Sequence, residues 1–410
     1  MLMHKAGFLS VCALVILFLG PHVAPAAQFV DLYRAGLDAE DAGNLDEAIN
    51  QFSEAIKMYG SSAQCWAKRG EIYLRKGDPQ SAIKDLTQAI KLDPAYAPAF
   101  IRLGFAYNAI NDYDRAIDAL DVAVKLDPNS SEALNTRGFA YNGKNDYDHA
   151  IKDFDRAIRL NLKDARYYNN RGFALNGKYQ YERAIDDFDK AIKLDPTKAM
   201  YYNNRGVAHL RLKEYDLALK DFDKTLEIDS KFASAYHNRG MALSGKGRDD
   251  KAVEEFGKVI EMNPSSASLY KDRGTAYRKL GEYELAEKDF RKAIELDKKF
   301  AAAYAALGLL HALAPAPPYR NPAEAERLAE KAIALTKGNS PDMVEMLAQV
   351  QYAINRHAAA LGTLRKALAM DPGNKEYQEL LAKWGEAMPS SPPPRRQEAE
   401  AKILTFPTLW

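Results

Sequence analysis

Two cysteines, three tryptophans and a net charge of +1 withhold support from several protein classes in this 410-residue chain. Cys12 lies in the amino-terminal apolar run and leaves Cys65 alone in the remainder, so an internal disulfide is excluded there. Lysine plus arginine totals 57 against 56 for aspartate plus glutamate, and such a balance supplies no general field for nucleic acid or an anionic membrane. The apolar stretch Phe8–Leu19 is too short to cross a bilayer comfortably. With His4 and Lys5 before it and the Ala24-x-Ala26 site behind it, residues 1–27 read as a secretory signal peptide. That implies an exported mature chain, periplasmic or secreted, with no stable membrane span after cleavage.

Catalytic and metal-binding signatures are equally scarce. His149, His209, His237, His311 and His357 form no H-E-x-x-H or related ligand spacing, and no G-x-S-x-G elbow occurs. A G-x-x-x-x-G-K pattern appears at 138–144, 172–178 and 240–246. It is followed by Asn145, Tyr179 and Gly247, where a phosphate-binding loop requires serine or threonine. The expectation is a non-enzymatic chain that needs no cofactor and no metal.

What the sequence does have is a phrase. "YYNNRG" runs from Tyr167 to Gly172 and returns from Tyr201 to Gly206, 34 residues on. Counting from Phe29 as position 1, position 8 is glycine from Gly36 through Gly172 to Gly308, and position 20 is alanine from Ala48 to Ala286. Position 24 is Phe52, Leu86, Leu120, Phe154, Phe188, Phe222, Phe256 and Phe290. Proline follows at Pro94, Pro128, Pro196, Pro264 and Pro372. Two antiparallel helices approach closely only where side chains are minimal, which accounts for the glycine and alanine. Proline cannot continue the second helix and marks its end.

This pattern resembles the tetratricopeptide repeat family over residues 29–374. The resemblance implies an all-α, right-handed superhelical solenoid of about ten helix-turn-helix repeats. Residues 28–300 hold eight regular repeats. Residues 301–374 hold two atypical ones, with a proline-rich insertion at 314–322 that lengthens the inter-helix turn. Residues 375–388 read as a capping helix and 389–410 as a disordered tail. The apolar end of that tail, Ile403–Trp410, is a candidate docking peptide.

Comparing repeats with one another isolates a pair. Position 7 is Arg69, Arg137, Arg171, Arg205, Arg239 and Arg273, and position 23 of the same six repeats is Asp85, Asp153, Asp187, Asp221, Glu255 and Asp289. The other repeats have Ala35 with Gln51, Leu103 with Ala119, and Leu307 with Leu328, so arginine and acid occur together or not at all. This predicts a bidentate bridge within each hairpin that acts as a staple, not as a ligand site.

In the family, first helices line the concave side, and helical spacing turns positions 2, 5, 6, 9, 12 and 13 toward it. There lie Asn135, Asn169 and Asn203 at position 5; Asn170, Asn204 and Asn238 at position 6; and Asn108, Asn142 and Asn176 at position 12. Amides at one per repeat can hold an extended main chain, and Asn170, Asn204 and Asn238 match the asparagine ladder of a glycosyltransferase family's repeats. Phe105, Phe139 and Phe173 at position 9 would add apolar pockets, and Arg34, Lys68 and Arg102 a basic row for an acidic segment. The family's carboxylate clamp fits poorly because position 9 is never asparagine. The function implied is a scaffold whose concave groove binds an extended segment of a partner protein. The alternative is an assembly subunit of an envelope or secretion complex that uses its convex face or tail.

Overall fold

Short polar turns separate nearly every pair of helices in a computed structural model of the chain, which describes residues 23–315 and 317–386. Most of the expected signal peptide and the whole carboxy-terminal tail lie outside the described residues. The described residues form 21 helices and no strand. They divide into two compact units, one running to Thr197 and one from Lys198.

The first unit contains α1 (Val23–Asp41), α2 (Leu45–Met58), α3 (Ala63–Arg75), α4 (Pro79–Leu92), α5 (Ala97–Ala109), α6 (Tyr113–Leu126), α7 (Ser131–Gly143), α8 (Tyr147–Leu160), α9 (Ala165–Gly177) and α10 (Tyr181–Leu194). Asn44, Asp78, Asp112 and Asp146 start α2, α4, α6 and α8, each side chain accepting a main-chain N–H of the first turn, while Gln180 starts α10 without such a bond. Just before them the chain enters the left-handed region, at Gly43, Gly77, Asn111, Asn145 and Tyr179. Glycine and asparagine suit that backbone; Tyr179 adopts it at φ 61°. Phe52, Leu86, Leu120, Phe154 and Phe188 fill the hairpin interiors with no exposed surface.

The second unit contains α11 (Ala199–Arg211), α12 (Tyr215–Ile228), α13 (Ala233–Gly245), α14 (Asp249–Met262), α15 (Ala267–Leu280), α16 (Tyr283–Leu296), α17 (Ala301–Leu313), α18 (Pro322–Leu335), α19 (Pro341–Ala353), α20 (His357–Met370) and α21 (Lys375–Glu386). Its hairpins repeat the construction, with Phe222, Phe256 and Phe290 buried at the same register. Leu364 takes that place in the last atypical hairpin; in the other, Leu328 at position 23 is buried beside Gly308. The segment between α17 and α18 is tied back by Asn321 N–H, which donates to the His311 carbonyl at 3.0 Å. Tyr377 and Trp384 of α21 are buried against α19 and α20, with the Trp384 ring stacked on Tyr352.

Glycine at position 8 has the reason its spacing suggests. A Cβ on Gly172 would lie 2.7 Å from the Phe188 ring, and one on Gly308 would lie 2.9 Å from the Ala325 carbonyl oxygen.

Candidate functional site

The staple comes first, because it removes six arginines from the pool of ligand-binding groups. Arg171 donates through Nε and a terminal nitrogen to the two Asp187 oxygens, both at 2.7 Å. Arg69, Arg137, Arg205 and Arg273 grip Asp85, Asp153, Asp221 and Asp289 in the same two-pronged way. Arg239 places both donors on one oxygen of Glu255. The Asp153 bond, opposed by burial, holds the Arg137 guanidinium above its ordinary pKa.

The sequence comparison missed two further layers. The remaining arm of the arginine reaches back to position 25 of the preceding hairpin: Arg137 to Asp121 at 2.7 Å, Arg171 to Asp155 at 2.6 Å, Arg239 to Asp223 at 2.7 Å, and Arg69 to the Ser53 hydroxyl at 2.9 Å. Position 25 before Arg273 is Gly257, and Arg273 bonds to Asp289 alone. An aromatic ring at position 4 also lies under five of the six guanidinium groups, Trp66 beneath Arg69 and Tyr168 beneath Arg171 among them, while Arg137 has Leu134 there. The staple therefore joins neighbouring hairpins as well as closing its own.

The asparagines are engaged in the same task. Asn108 Nδ2 donates to the Thr136 carbonyl at 3.0 Å and Asn142 Nδ2 to the Asn170 carbonyl at 3.2 Å. Asn170 Nδ2 donates to Asn135 Oδ1 at 3.0 Å, and in the second unit Asn238 Nδ2 donates to Asn203 Oδ1 at 3.0 Å. Asn142, Asn169 and Asn203 are buried, so they cannot line an open groove as expected. Position 5 turns toward the neighbouring hairpin, and an amide buried there must find its partner within the fold. Asn135, Asn170, Asn176, Asn204 and Asn238 stay half-buried. Removing Asn170 and Asn238 would break inter-hairpin bonds, which corrects the expectation of amides reserved for a guest.

The basic row is corrected similarly. Arg34 is exposed, but Lys68 lies 3.6 Å from Glu40 and 3.2 Å from Glu71, and Arg102 bonds to Glu71 at 3.2 Å and to Glu132. Lys68 pairs with Glu40 of the preceding hairpin and Glu71 of its own helix, and Arg102 with Glu71 and Glu132 of the hairpins on either side, so neither charge stands free. The lysines of the three G-x-x-x-x-G-K stretches behave likewise: Lys144, Lys178 and Lys246 pair at the surface with Asp114, Asp148 and Asp216. Among the described residues, no group of three or more His, Cys, Asp or Glu is placed to hold a metal ion.

What remains open to a guest is apolar. Phe105, Phe139 and Phe173 stand at one register on α5, α7 and α9, exposed by 52%, 48% and 50%. Most large apolar side chains in these helices are covered; these three form a row at one per hairpin, beside Asn135 and Asn170.

Within the second unit, α21 reaches back toward the turn after α11. Glu376 at the start of α21 comes within 3.6 Å of Lys213 in the turn after α11. Glu345 of α19 sits nearby with Gln349 as its bonding partner, beside the carboxylates of Asp342 on its own helix and Glu376 on α21; Tyr377 donates to Asp342 at 2.9 Å. Burial, with those two acids, pushes the Glu345 carboxyl from its ordinary 4.5 up to about 7. A carboxyl raised in the fold binds its proton more tightly there than in the unfolded chain, so stability present below pH 4.5 is lost as pH rises through about 7. Glu345→Gln should melt with wild type at pH 4 and about 2–4 °C above it at pH 8, measured by circular dichroism. Equal melting curves at both values would refute the assignment.

Family models of the tetratricopeptide repeat match residues 33–97, 73–138, 131–164, 180–213, 199–232, 233–266, 267–300 and 320–383. A tetratricopeptide repeat protein from Parabacteroides merdae ATCC 43184 is similar in structure at TM-score 0.50 and 20% identity, with 60% of this chain and 98% of that one covered. MamA from Desulfovibrio magneticus RS-1 aligns at 26% identity and TM-score 0.38, covering 42% of this chain and 97% of that one. Yeast Tom70 aligns at 16% identity and TM-score 0.42, covering 92% and 96%. No curated protein sequence matches the chain.

Proposed function

We propose that this chain, which belongs to the tetratricopeptide repeat family, receives an extended, apolar-bearing segment of a partner protein on the first-helix face of its first unit. Protein-interaction scaffolding is the function that the repeats support, and the reading adds where and how. The observation that carries it is the row of half-exposed Phe105, Phe139 and Phe173. Covering three such rings removes apolar surface from water at about 25 cal/mol per Å². Their regular spacing suits a guest running across the hairpins. The half-buried amides of Asn135 and Asn170, bonded to each other, border the row and hold its hairpins together. Export by the segment before Gln28 belongs to the same proposal; fractionation of expressing cells tests it, and a chain retaining residues 1–27 in the cytoplasm would refute it.

Selection of a random peptide display library on the immobilised protein tests the binding reading. Recovered peptides should carry regularly spaced apolar residues. The Phe105→Ala, Phe139→Ala, Phe173→Ala triple variant should bind them about tenfold or more weakly with an unchanged melting curve. Undiminished binding by the triple variant would remove the proposal.

A further inference from the structure

Arg278 and Lys279 occupy the last turn of α15, at positions 12 and 13 of their repeat. A helix carboxy terminus favours cations there, yet neither charge is comfortable. Burial pulls the Arg278 guanidinium below its ordinary pKa, against the attraction of Tyr283 and Asp249. Burial likewise pulls the Lys279 amine down, and Arg278 adds repulsion that the nearby Asp249 opposes. Lys279 Nζ donates to the Ser244 hydroxyl at 2.9 Å and stays 3.7 Å from Asp249, whose carboxylate already accepts from Ser244 at 2.5 Å. The Arg278 side chain makes no hydrogen bond or ion pair with any described residue.

The contrast with the rest of the chain is sharp, since the six staple arginines each grip a carboxylate with two donors. The reason lies in the sequence of the next first helix. At position 12, Asn108 and Asn142 find a carbonyl on the following hairpin. Arg278 is followed by α17, "AAAYAALGLLHAL", which contains no acidic residue. The half-buried fork of five donors is left without a partner among the described residues, and the following first helix supplies no acid to answer it.

We propose that Arg278, with Lys279 beside it, anchors the carboxylate of an acidic guest segment on the first-helix face of the second unit. Neither residue occupies a position of the family's carboxylate clamp. The planar guanidinium accepts a carboxylate in two parallel bonds, and partial exclusion of water strengthens the pair relative to one at the surface. Lys279, bonded to Ser244 and paired with Asp249, flanks the site, and the unpaired charge is that of Arg278. The bound carboxylate supplies the counter-charge that α17 lacks.

The test uses the full chain and two labelled probes, N-acetyl, C-amidated hexaglutamate and hexaglutamine, at low ionic strength. Fluorescence anisotropy should show the glutamate peptide preferred about tenfold by wild type. Arg278→Gln should abolish that preference, and Arg278→Lys should restore only part of it. A free carboxy terminus in place of the amide separates terminal from side-chain recognition; the side-chain mode predicts no gain from it. Equal affinity for the two probes in wild type, or a preference surviving Arg278→Gln, overturns the proposal. The Phe105, Phe139 and Phe173 triple variant should keep the glutamate preference, so failure here and failure of the apolar row are read separately.

Discussion

Arg171→Ala should cost its hairpin about 3–5 kcal/mol, measured by hydrogen exchange of the α9 and α10 amides under native conditions. The magnitude follows from what is left behind. Asp187 is buried and takes both its strong bonds from Arg171, so deleting the cation strands a carboxylate in a dry site. Arg171→Met combined with Asp187→Leu should recover most of the loss, because the pair's attraction is offset by its desolvation. Arg171→Lys should not, since a single ammonium cannot reproduce the fork that spans Asp187 and Asp155. Arg273→Ala provides the internal comparison: with Gly257 where the others have a third acceptor, it should cost less than Arg171→Ala. A loss under about 1 kcal/mol at Arg171, the value of an exposed ion pair, would show that the bridge is not buried in solution.

Phe188→Ala is the second large expected effect, about 3–5 kcal/mol by the same measurement. Its ring has no exposed surface and lies where a Cβ on Gly172 would sit at 2.7 Å. Gly172→Ala alone therefore forces the ring or the helix to shift, at about 1–3 kcal/mol. In a Phe188→Ala background the same methyl enters vacated space, so the double variant should be more stable than the sum of the single losses predicts. Strict additivity would mean that the close approach of the Phe188 ring is not what keeps position 8 as glycine, since helix propensity by itself favours alanine.

The hairpin architecture was legible because the physics repeats. Glycine, alanine and phenylalanine return at fixed positions, and the missing arginine at Leu103 and Leu307 tells against chance by losing its acid too. The third arm leaves a trace in the same comparison, since position 25 is Gly257 before Arg273, which lacks that arm, and Asp121, Asp155 and Asp223 before Arg137, Arg171 and Arg239, which have it. The asparagines were misread for a geometric reason. Positions 5 and 6 are one residue apart and diverge by about 100° around the helix, so Asn169 enters the interface between hairpins while Asn170 lies at its edge. Face assignment from periodicity is too coarse to separate them. Lys68 and Arg102 read as free charge because their partners stand at other positions: Glu40 and Glu132 on neighbouring hairpins, and Glu71 three residues after Lys68 on the same helix. Arg278 escaped notice because comparison between copies rewards what recurs, and it has no counterpart.

Each hairpin satisfies its largest needs internally: Phe188 finds Gly172, and Arg171 finds Asp187, within a single 34-residue copy. Unequal crossing-over between two near-identical coding segments would therefore add or excise a whole self-sufficient cassette. The new junction needs only a position-25 acceptor and a position-5 amide to be accepted by its neighbours. A lineage can lengthen or shorten such an array by whole copies without composing a new interior.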